Sequence, residues 1–307
     1  MESEHFIDLI NIEVGQKLFI DSYFETHLLI VDDSSLLCIK GNYLIGKKVG
    51  KTFIKYLNKT VDVNVIAKGT TNSAYLLSDL KNKNFKFIVI GDSTSAEETY
   101  DNKGYTYCHK ICKALSGRFT HNYAIGGTTV TYMYKGSNIE KEYKNNLIAI
   151  DGVRVVKKAY KNNELANIDV AFIGYGHNDR YFQPPIEDLS CQKYSLNSFN
   201  SCHSFKGSYR YIINTLRKAN PKILIVILNC TYSEYLLTSK QWNYSLSYLD
   251  YRRAIYEIAC EMHTKYIDPW NYMKQYYDFS KENKYYHDVV HFSRDGHAKL
   301  AEYILKN

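Results

Sequence analysis

The chain has 307 residues and 45% of them are hydrophobic, which is enough for a packed core in one large domain or two ordinary ones. This composition excludes a disordered, collagen-like or fibrous protein. The formal net charge of +7 arises from lysines scattered along the chain rather than from a basic stripe, so it favours solubility and does not indicate nucleic-acid binding.

Cysteine usage and the N-terminal sequence bear on the compartment. Seven cysteines without a repeated spacing indicate reduced thiols rather than a disulfide framework. The first residues, MESEHFIDLI, lack a basic segment followed by an apolar one, and no apolar run reaches the length of a membrane span. We therefore expect no signal peptide, and a protein that is cytoplasmic, virion-associated or exported by a route that this sequence does not encode.

Residues 1–67 are predicted to form a small all-β sandwich, because short alternating segments are separated by Gly, Asn and Asp turns. The segments VGQKLFID, VDDSSLLCIKGNYLIGKKVGKTFIKY and VDVNVIA resemble bacterial Ig-like domains of the Big-2 type. The resemblance implies a spacer or adhesive module that docks to a cell-surface or virion protein. No residue in this part of the chain is expected to be catalytic.

Residues 68–84 are polar and are predicted to link the two domains, with room for a short helix from Ser73 to Leu80. From Phe85 to the C-terminus, strand-like apolar runs alternate with helical patterns, which predicts a parallel sheet wrapped by helices on both faces. The predicted strands are Phe87–Ile90, Phe119–Tyr123, Asp169–Ile173, Ile223–Leu228 and Tyr266–Ile267. The predicted helices are Tyr105–Leu115, Ser208–Lys218, Leu249–His263 and Arg294–Leu305.

Two stretches do not fit this alternation. One extends from Thr131 to Val156, and the other extends from Tyr181 to Ser204. Because both follow loops at the predicted sheet edge, we expect them to wall a substrate cleft.

Four short blocks carry polar side chains to one edge of the predicted sheet. They are Gly91–Ser93, Asn122–Thr129 with the sequence NYAIGGTT, Gly176–Asp179, and Asp288–His291. The first three follow predicted strands and the fourth precedes the last predicted helix. Ligands of open α/β sheets bind at the carboxyl ends of the strands, so this edge is the expected site.

Each block offers a group that acyl transfer requires. A serine hydroxyl needs a neighbouring base, and His291 is of the residue type that exchanges a proton near neutral pH. Asp288 lies three residues earlier and can orient the imidazole of His291. The backbone N–H groups of Ser93 and Gly127 and the side-chain amide of Asn178 are the candidate donors of an oxyanion hole.

The four blocks, in this order, resemble the SGNH (GDSL) hydrolase superfamily. The resemblance spans Phe85 to Asn307 and implies a flavodoxin-like three-layer α/β/α fold. It implies a Ser93–His291–Asp288 triad and ester or thioester hydrolysis without a metal or an organic cofactor. Gly126 adjoins Gly127 and leaves open which of the two donates, and Phe292 stands where many members have proline.

Other residues near the blocks have simpler interpretations. Asp92 and Asp179 are expected to hold loops by hydrogen bonds, and His177 is expected to line a wall or face solvent. Cys108 and Cys112 lie four residues apart on a predicted helix, where a core face explains them better than a metal pair. The chain has no G-x-S-x-G motif, which argues against an α/β-hydrolase.

The sequence thus predicts a two-domain serine esterase. Thirty tyrosines supply flat, amphipathic surface suited to sugars or to protein contacts. A tyrosine-rich cleft walled by the two insertions, together with an Ig-like spacer, suits glycans better than lipids, so the favoured substrate is an O-acetyl ester on a saccharide. One alternative is a virion or cell-surface structural or adhesive protein whose α/β domain binds glycan with little turnover. Another is a thioesterase or a lipase, which would prefer long acyl chains.

Overall fold

The computed structural model describes residues 9–15, 17–19, 28–40, 43–56, 59–67, 77–81, 84–99, 103–131, 151–187, 203–238, 246–280 and 282–307. Strands fill the N-terminal part of the chain, and strands alternate with helices in the remainder. The strands of the N-terminal part are β1 Leu9–Glu13, β2 Lys17–Phe19, β3 Leu29–Val31, β4 Leu37–Lys40, β5 Tyr43–Gly46, β6 Gly50–Tyr56 and β7 Lys59–Ile66.

These seven strands form two sheets that face each other across a common core. One sheet has the order β1-β7-β6-β3, with β1 parallel to β7 and the other pairs antiparallel, and the other is antiparallel with the order β2-β5-β4. Ile12, Ile54 and Val63 of the first sheet are buried in one cluster with Leu37 and Leu44 of the second. The described part of the N-terminal segment is therefore the small all-β unit that the alternating sequence predicts.

The C-terminal part contains a five-stranded parallel sheet with the order β9-β8-β10-β11-β12, which is the flavodoxin-like order. Its strands are β8 Lys86–Gly91, β9 Arg118–Asn122, β10 Val170–Gly174, β11 Leu224–Leu228 and β12 Lys265–Ile267. Both β10 and β11 are buried along their whole length. Their continuous apolar sequences, VAFIG and LIVIL, suit strands that are covered on both faces.

Helices cover both faces of this sheet. They are α1 Tyr107–Ala114, α2 Gly152–Lys161, α3 Asp179–Phe182, α4 Phe205–Ala219, α5 Glu234–Thr238, α6 Tyr248–Glu261, α7 Trp270–Lys274 and α8 Arg294–Lys306. One apolar cluster packs α2, α4 and α6 against one face, as shown by Val156, Ile212 and Ile255. A second cluster packs α1 and α8 against the other face, as shown by Ile111 and Leu300. The three-layer α/β/α prediction is confirmed.

Helix α2 is absent from the sequence-based prediction, which treats this stretch as part of an irregular insertion. Asp151 caps the helix, because its side chain accepts a hydrogen bond of 2.8 Å from the backbone N–H of Arg154. Val153, Val156 and Ala159 follow at intervals of three residues and are buried against the sheet. The helix is the crossover between β9 and β10, whereas residues 132–150 and 188–202 of the two insertions lie outside the described residues.

The β-sandwich and the α/β unit pack against each other through Tyr256 and Cys260 of α6 and Tyr266 of β12. Tyr256 projects from α6 into the sandwich core, where it is buried, and its ring lies 5.2 Å from that of Tyr266 in an edge-to-face arrangement. In the predicted linker, Leu77 begins a 3₁₀ turn that ends at Leu80, and its side chain is buried in the α/β core with Phe85. Most of the remaining linker lies outside the described residues.

The close approach of β8 and β10 gives a test of the fold. A Cβ atom added at Gly91 would lie 2.7 Å from the carbonyl oxygen of Gly174, so Gly91→Ala requires the strand ends to separate. We expect the variant to lose about 1–3 kcal/mol of unfolding free energy in urea denaturation. At Gly126 the nearest atom to an added Cβ is 3.8 Å away, so Gly126→Ala is the matched control. Equal losses in both variants would contradict this explanation.

Candidate active site

The loop that follows β8 presents Ser93 at the carboxyl edge of the sheet. The carbonyl oxygen of Asp92 accepts hydrogen bonds from the backbone N–H groups of Ser95 at 3.0 Å and Ala96 at 3.1 Å. Oδ1 of Asp92 accepts two more, from the backbone N–H of Thr94 at 3.0 Å and from its hydroxyl at 2.8 Å. These bonds fix a tight turn around Ser93, whose side chain is half-buried.

Ser93, His291 and Asp288 form one chain of hydrogen bonds. Nε2 of His291 lies 2.8 Å from Oγ of Ser93, and Nδ1 of His291 lies 2.8 Å from Oδ2 of Asp288. The other carboxylate oxygen of Asp288 accepts the backbone N–H groups of Val290 at 2.7 Å and His291 at 2.8 Å. One oxygen therefore shapes the loop while the other orients the imidazole.

This arrangement fixes the direction of proton transfer. An ionised carboxylate only accepts hydrogen bonds, so Nδ1 of His291 carries a proton toward Asp288 and Nε2 is left as the acceptor facing Ser93. A serine hydroxyl that donates to such a nitrogen can lose its proton as it attacks a carbonyl carbon. The geometry is thus suited to nucleophilic acyl transfer.

The candidate oxyanion donors lie beside the serine. The turn at Gly126 and Gly127 approaches it closely, since a Cβ atom at Gly126 would be 3.8 Å from Cβ of Ser93. Gly127 has φ of +75°, which favours glycine at this position. Nδ2 of Asn178 donates to the carbonyl oxygen of Thr128 at 2.9 Å, which holds the amide against this turn and leaves its second N–H for a ligand.

A buried carboxylate anchors the third block to the residues that directly follow the second. Asp179 is fully buried and accepts hydrogen bonds from the backbone N–H of Val130 at 3.0 Å and from the backbone N–H and hydroxyl of Thr131 at 3.2 and 2.9 Å. Burial raises the pKa of Asp179 to about 7, although these three donors act in the opposite direction. The predicted loop-holding role of Asp179 is confirmed.

The third block is anchored to the first by a buried ion pair. Nδ1 of His177 lies 3.2 Å from Oδ2 of Asp92, and the two side chains are 7% and 0% exposed. The prediction that His177 lines a wall or faces solvent is wrong, because the fold places it against a buried carboxylate that requires a partner. The predicted loop-holding role of Asp92 is confirmed.

The surroundings of this pair decide its charge. Burial opposes the imidazolium form, but the neighbouring Cys230 and Asp92 outweigh it and raise the pKa of His177 to about 10. Burial would likewise raise the pKa of Asp92, but His177 and the Thr94 donors outweigh it and lower that pKa. The His177 ring also packs against the Tyr248 ring at 5.9 Å. Nothing in the sequence distinguishes this buried histidine from one that faces water.

Across the described parts of the chain, no group of three or more His, Cys, Asp and Glu side chains is arranged to hold a metal ion. Cys108 and Cys112 are buried in the apolar cluster that covers one sheet face, as their spacing predicts. No helix within the same ranges is long and apolar enough to cross a membrane.

The sequence matches the model of the GDSL-like lipase/acylhydrolase family over residues 89–299, which is more than half of the chain. None of the curated proteins matches it. One solved crystal structure is similar with a TM-score of 0.55 and 19% identity, over 76% of this chain and 97% of its own. A crystal structure from Lactobacillus plantarum is similar with a TM-score of 0.51 and 14% identity, over 72% and 95% respectively. At these identities the likeness shows the fold alone.

The Asp92–His177 pair gives a prediction for the pH dependence of stability. Because folding raises the pKa of His177 to about 10, its stabilising effect is complete below its ordinary pKa of 6.5 and is lost as pH rises toward about 10. We expect the melting temperature of the wild type to fall between pH 7 and 10, and His177→Gln to reduce this fall.

The matched control is His297, a second buried histidine, which lies on α8. Burial lowers its pKa to about 3, so it stays neutral over the whole range and His297→Gln should keep the wild-type slope. Equal slopes for wild type and His177→Gln in thermal scans would contradict the assignment.

Proposed function

This chain belongs to the GDSL-like lipase/acylhydrolase family, and on that basis we propose that it is a serine esterase with Ser93 as the nucleophile. The observation that carries the proposal is the hydrogen-bonded chain Ser93–His291–Asp288, with both side-chain distances at 2.8 Å. Ser93 follows β8, whereas His291 comes 198 residues later and shares the loop before α8 with Asp288. Their convergence at the carboxyl edge of a parallel sheet supports a catalytic role.

The proposed reaction has two halves. Oγ of Ser93 attacks the ester carbonyl carbon while Nε2 of His291 takes its proton, and the imidazolium then gives that proton to the departing alcohol. Asp288 orients the ring and stabilises its positive charge. In the second half, water attacks the acyl-enzyme, His291 takes the proton of the water, and the acid leaves as Oγ recovers its proton.

The negative oxygen that forms in each half requires donors. We assign this role to the backbone N–H groups of Ser93 and Gly127 and to the side chain of Asn178. In the described part of the chain, no acceptor engages either backbone N–H, so both can serve a ligand. The positive φ of Gly127 distinguishes it from Gly126 and supports Gly127 as the donor of this turn.

The proposed substrate is an O-acetyl ester on a saccharide. Exposed aromatic side chains near the catalytic edge favour sugar rings, because a tyrosine presents both a flat apolar face and a polar hydroxyl. Tyr181, which is 45% exposed, lies three residues after Asn178. Tyr235, in α5 after β11, is 37% exposed.

We further propose separate roles for three parts of the chain. Residues 1–67 form an Ig-like module of the Big-2 type that docks to a cell-surface or virion protein, residues 68–84 link it, and residues 85–307 form the hydrolase. The two facing sheets with a shared core support the first assignment. All the proposed catalytic residues belong to the hydrolase part.

Ser93→Ala tests the nucleophile. We expect turnover of p-nitrophenyl acetate to fall at least about a thousandfold, because the attacking hydroxyl is lost. Ser95→Ala is the matched control, since the Ser95 hydroxyl is buried 2.8 Å from the hydroxyl of Tyr107 and takes no part in the proposed reaction. Equal rates for Ser93→Ala and wild type would refute the proposed function.

Asn178→Ala tests the oxyanion hole. We expect kcat for p-nitrophenyl acetate to fall by about two to three orders of magnitude, because one preorganised donor is removed. Labelling of Ser93 by a fluorophosphonate should still occur in this variant, only more slowly. A kcat within threefold of the wild type would exclude Asn178 as a donor.

A further inference from the structure

A surface pocket of about 390 Å³ lies next to the loop that carries Asp288 and His291. Its walls combine three aromatic rings, two carboxylates and a piece of that loop, namely Tyr235, Tyr277, Phe279, Glu234, Asp278 and Val289. None of these six residues takes part in the proposed reaction. The pocket is therefore a separate feature of the surface that requires its own explanation.

Hydrogen bonds tie the pocket to the catalytic loop. The carbonyl oxygen of Val289 accepts from the hydroxyls of Ser233 at 2.7 Å and Tyr277 at 3.0 Å. Val289 is two residues before His291, so the Cα atoms of the two are at most about 7 Å apart. A bound group in the pocket would thus lie within reach of an extended substrate whose ester carbonyl is at Ser93.

The pocket also lies on the side of the sheet where ligands bind. Tyr235 and Glu234 belong to α5, which follows the carboxyl end of β11, and Asp278 and Phe279 follow β12 and α7. Asn283 holds this second wall in place, because its amide donates to the carbonyl oxygens of Tyr276 at 3.0 Å and Asp278 at 2.9 Å. The pocket is thus preformed.

The lining favours a sugar ring over a lipid chain or a cation. Phe279 and Tyr235 are 40% and 37% exposed and present ring surface on which a pyranose can pack. The carboxylate of Glu234 can accept hydrogen bonds from sugar hydroxyls, which an acyl chain does not have. Oδ1 of Asp278 accepts hydrogen bonds from the backbone N–H and the hydroxyl of Ser280 at 2.9 and 2.6 Å, and a carboxylate can accept further bonds from a sugar. A bound cation would be repelled by Lys274, because its Nζ lies 5.0 Å over the ring of Tyr232, and this ring contacts the pocket residue Tyr277.

We propose that this pocket is a glycan subsite, which binds one sugar ring of the substrate at a distance from the acetylated position. The inference rests on the proposed esterase function and adds to it the part of the protein that recognises the alcohol. Tyr235 and Phe279 supply ring contacts, and Glu234 and Asp278 accept hydrogen bonds from hydroxyls.

The test uses the full chain carrying Ser93→Ala, so that bound esters are not consumed, on an array of O-acetylated and unacetylated oligosaccharides. We expect binding to at least one glycan. Adding Phe279→Ala or Tyr235→Ala should weaken that binding at least tenfold. Adding Tyr105→Ala, which removes a 44%-exposed aromatic ring outside the pocket, should leave it unchanged. Thermal unfolding of each variant identifies any that fails to fold.

Wild-type turnover of p-nitrophenyl acetate reports separately on the esterase function. If that ester is hydrolysed but no glycan binds, or the pocket variants bind glycans as tightly as their parent, the subsite is refuted and the esterase stands. A preference for acetylcholine over the neutral 3,3-dimethylbutyl acetate that disappears in Phe279→Ala would assign the pocket to a cation and overturn the proposal. Pocket-dependent glycan binding without ester turnover would refute the esterase function instead.

Discussion

Two fully buried carboxylates, Asp92 and Asp179, hold together the loops of the proposed active site. Asp92 pairs with His177, and Asp179 accepts three hydrogen bonds from the segment after the second block. A buried polar group that loses its hydrogen-bond partners is destabilising, so each carboxylate holds its loops in position. The loops that carry Ser93 and Asn178 are therefore fixed by buried polar contacts.

The register of the parallel sheet also places the loops of the proposed site next to each other. Gly91 and Gly174 are partners in the register of β8 and β10, so both strands end at the same height. The loop that carries Ser93 and the third block then start side by side, and the backbone N–H of Asp92 donates to the carbonyl oxygen of Gly174 at 3.1 Å. The last loop, before α8, only has to bring His291 over Ser93.

Much of this could be predicted from sequence, since strong apolar runs such as Phe87–Ile90 and polar residues directly after them reveal a parallel sheet and its functional edge. Helix α2 was missed because its capping residue, Asp151, lies at the end of a long segment without clear periodicity. The burial of His177 could not be predicted, because a histidine that pairs with a buried carboxylate looks in sequence like one that faces water. The pocket beside Val289 could not be predicted either, because its lining residues come from three separate segments of the chain.

The packing of Tyr256 has a consequence for how the two parts of the chain act together. Tyr256 of α6 is buried in the core of the β-sandwich and Cys260 and Tyr266 pack against the same core, so turning one part against the other would expose the Tyr256 ring and leave a cavity in the sandwich. This buried contact therefore opposes rotation of the sandwich against the α/β unit. A partner that binds the sandwich would also set the orientation in which Ser93 meets a substrate.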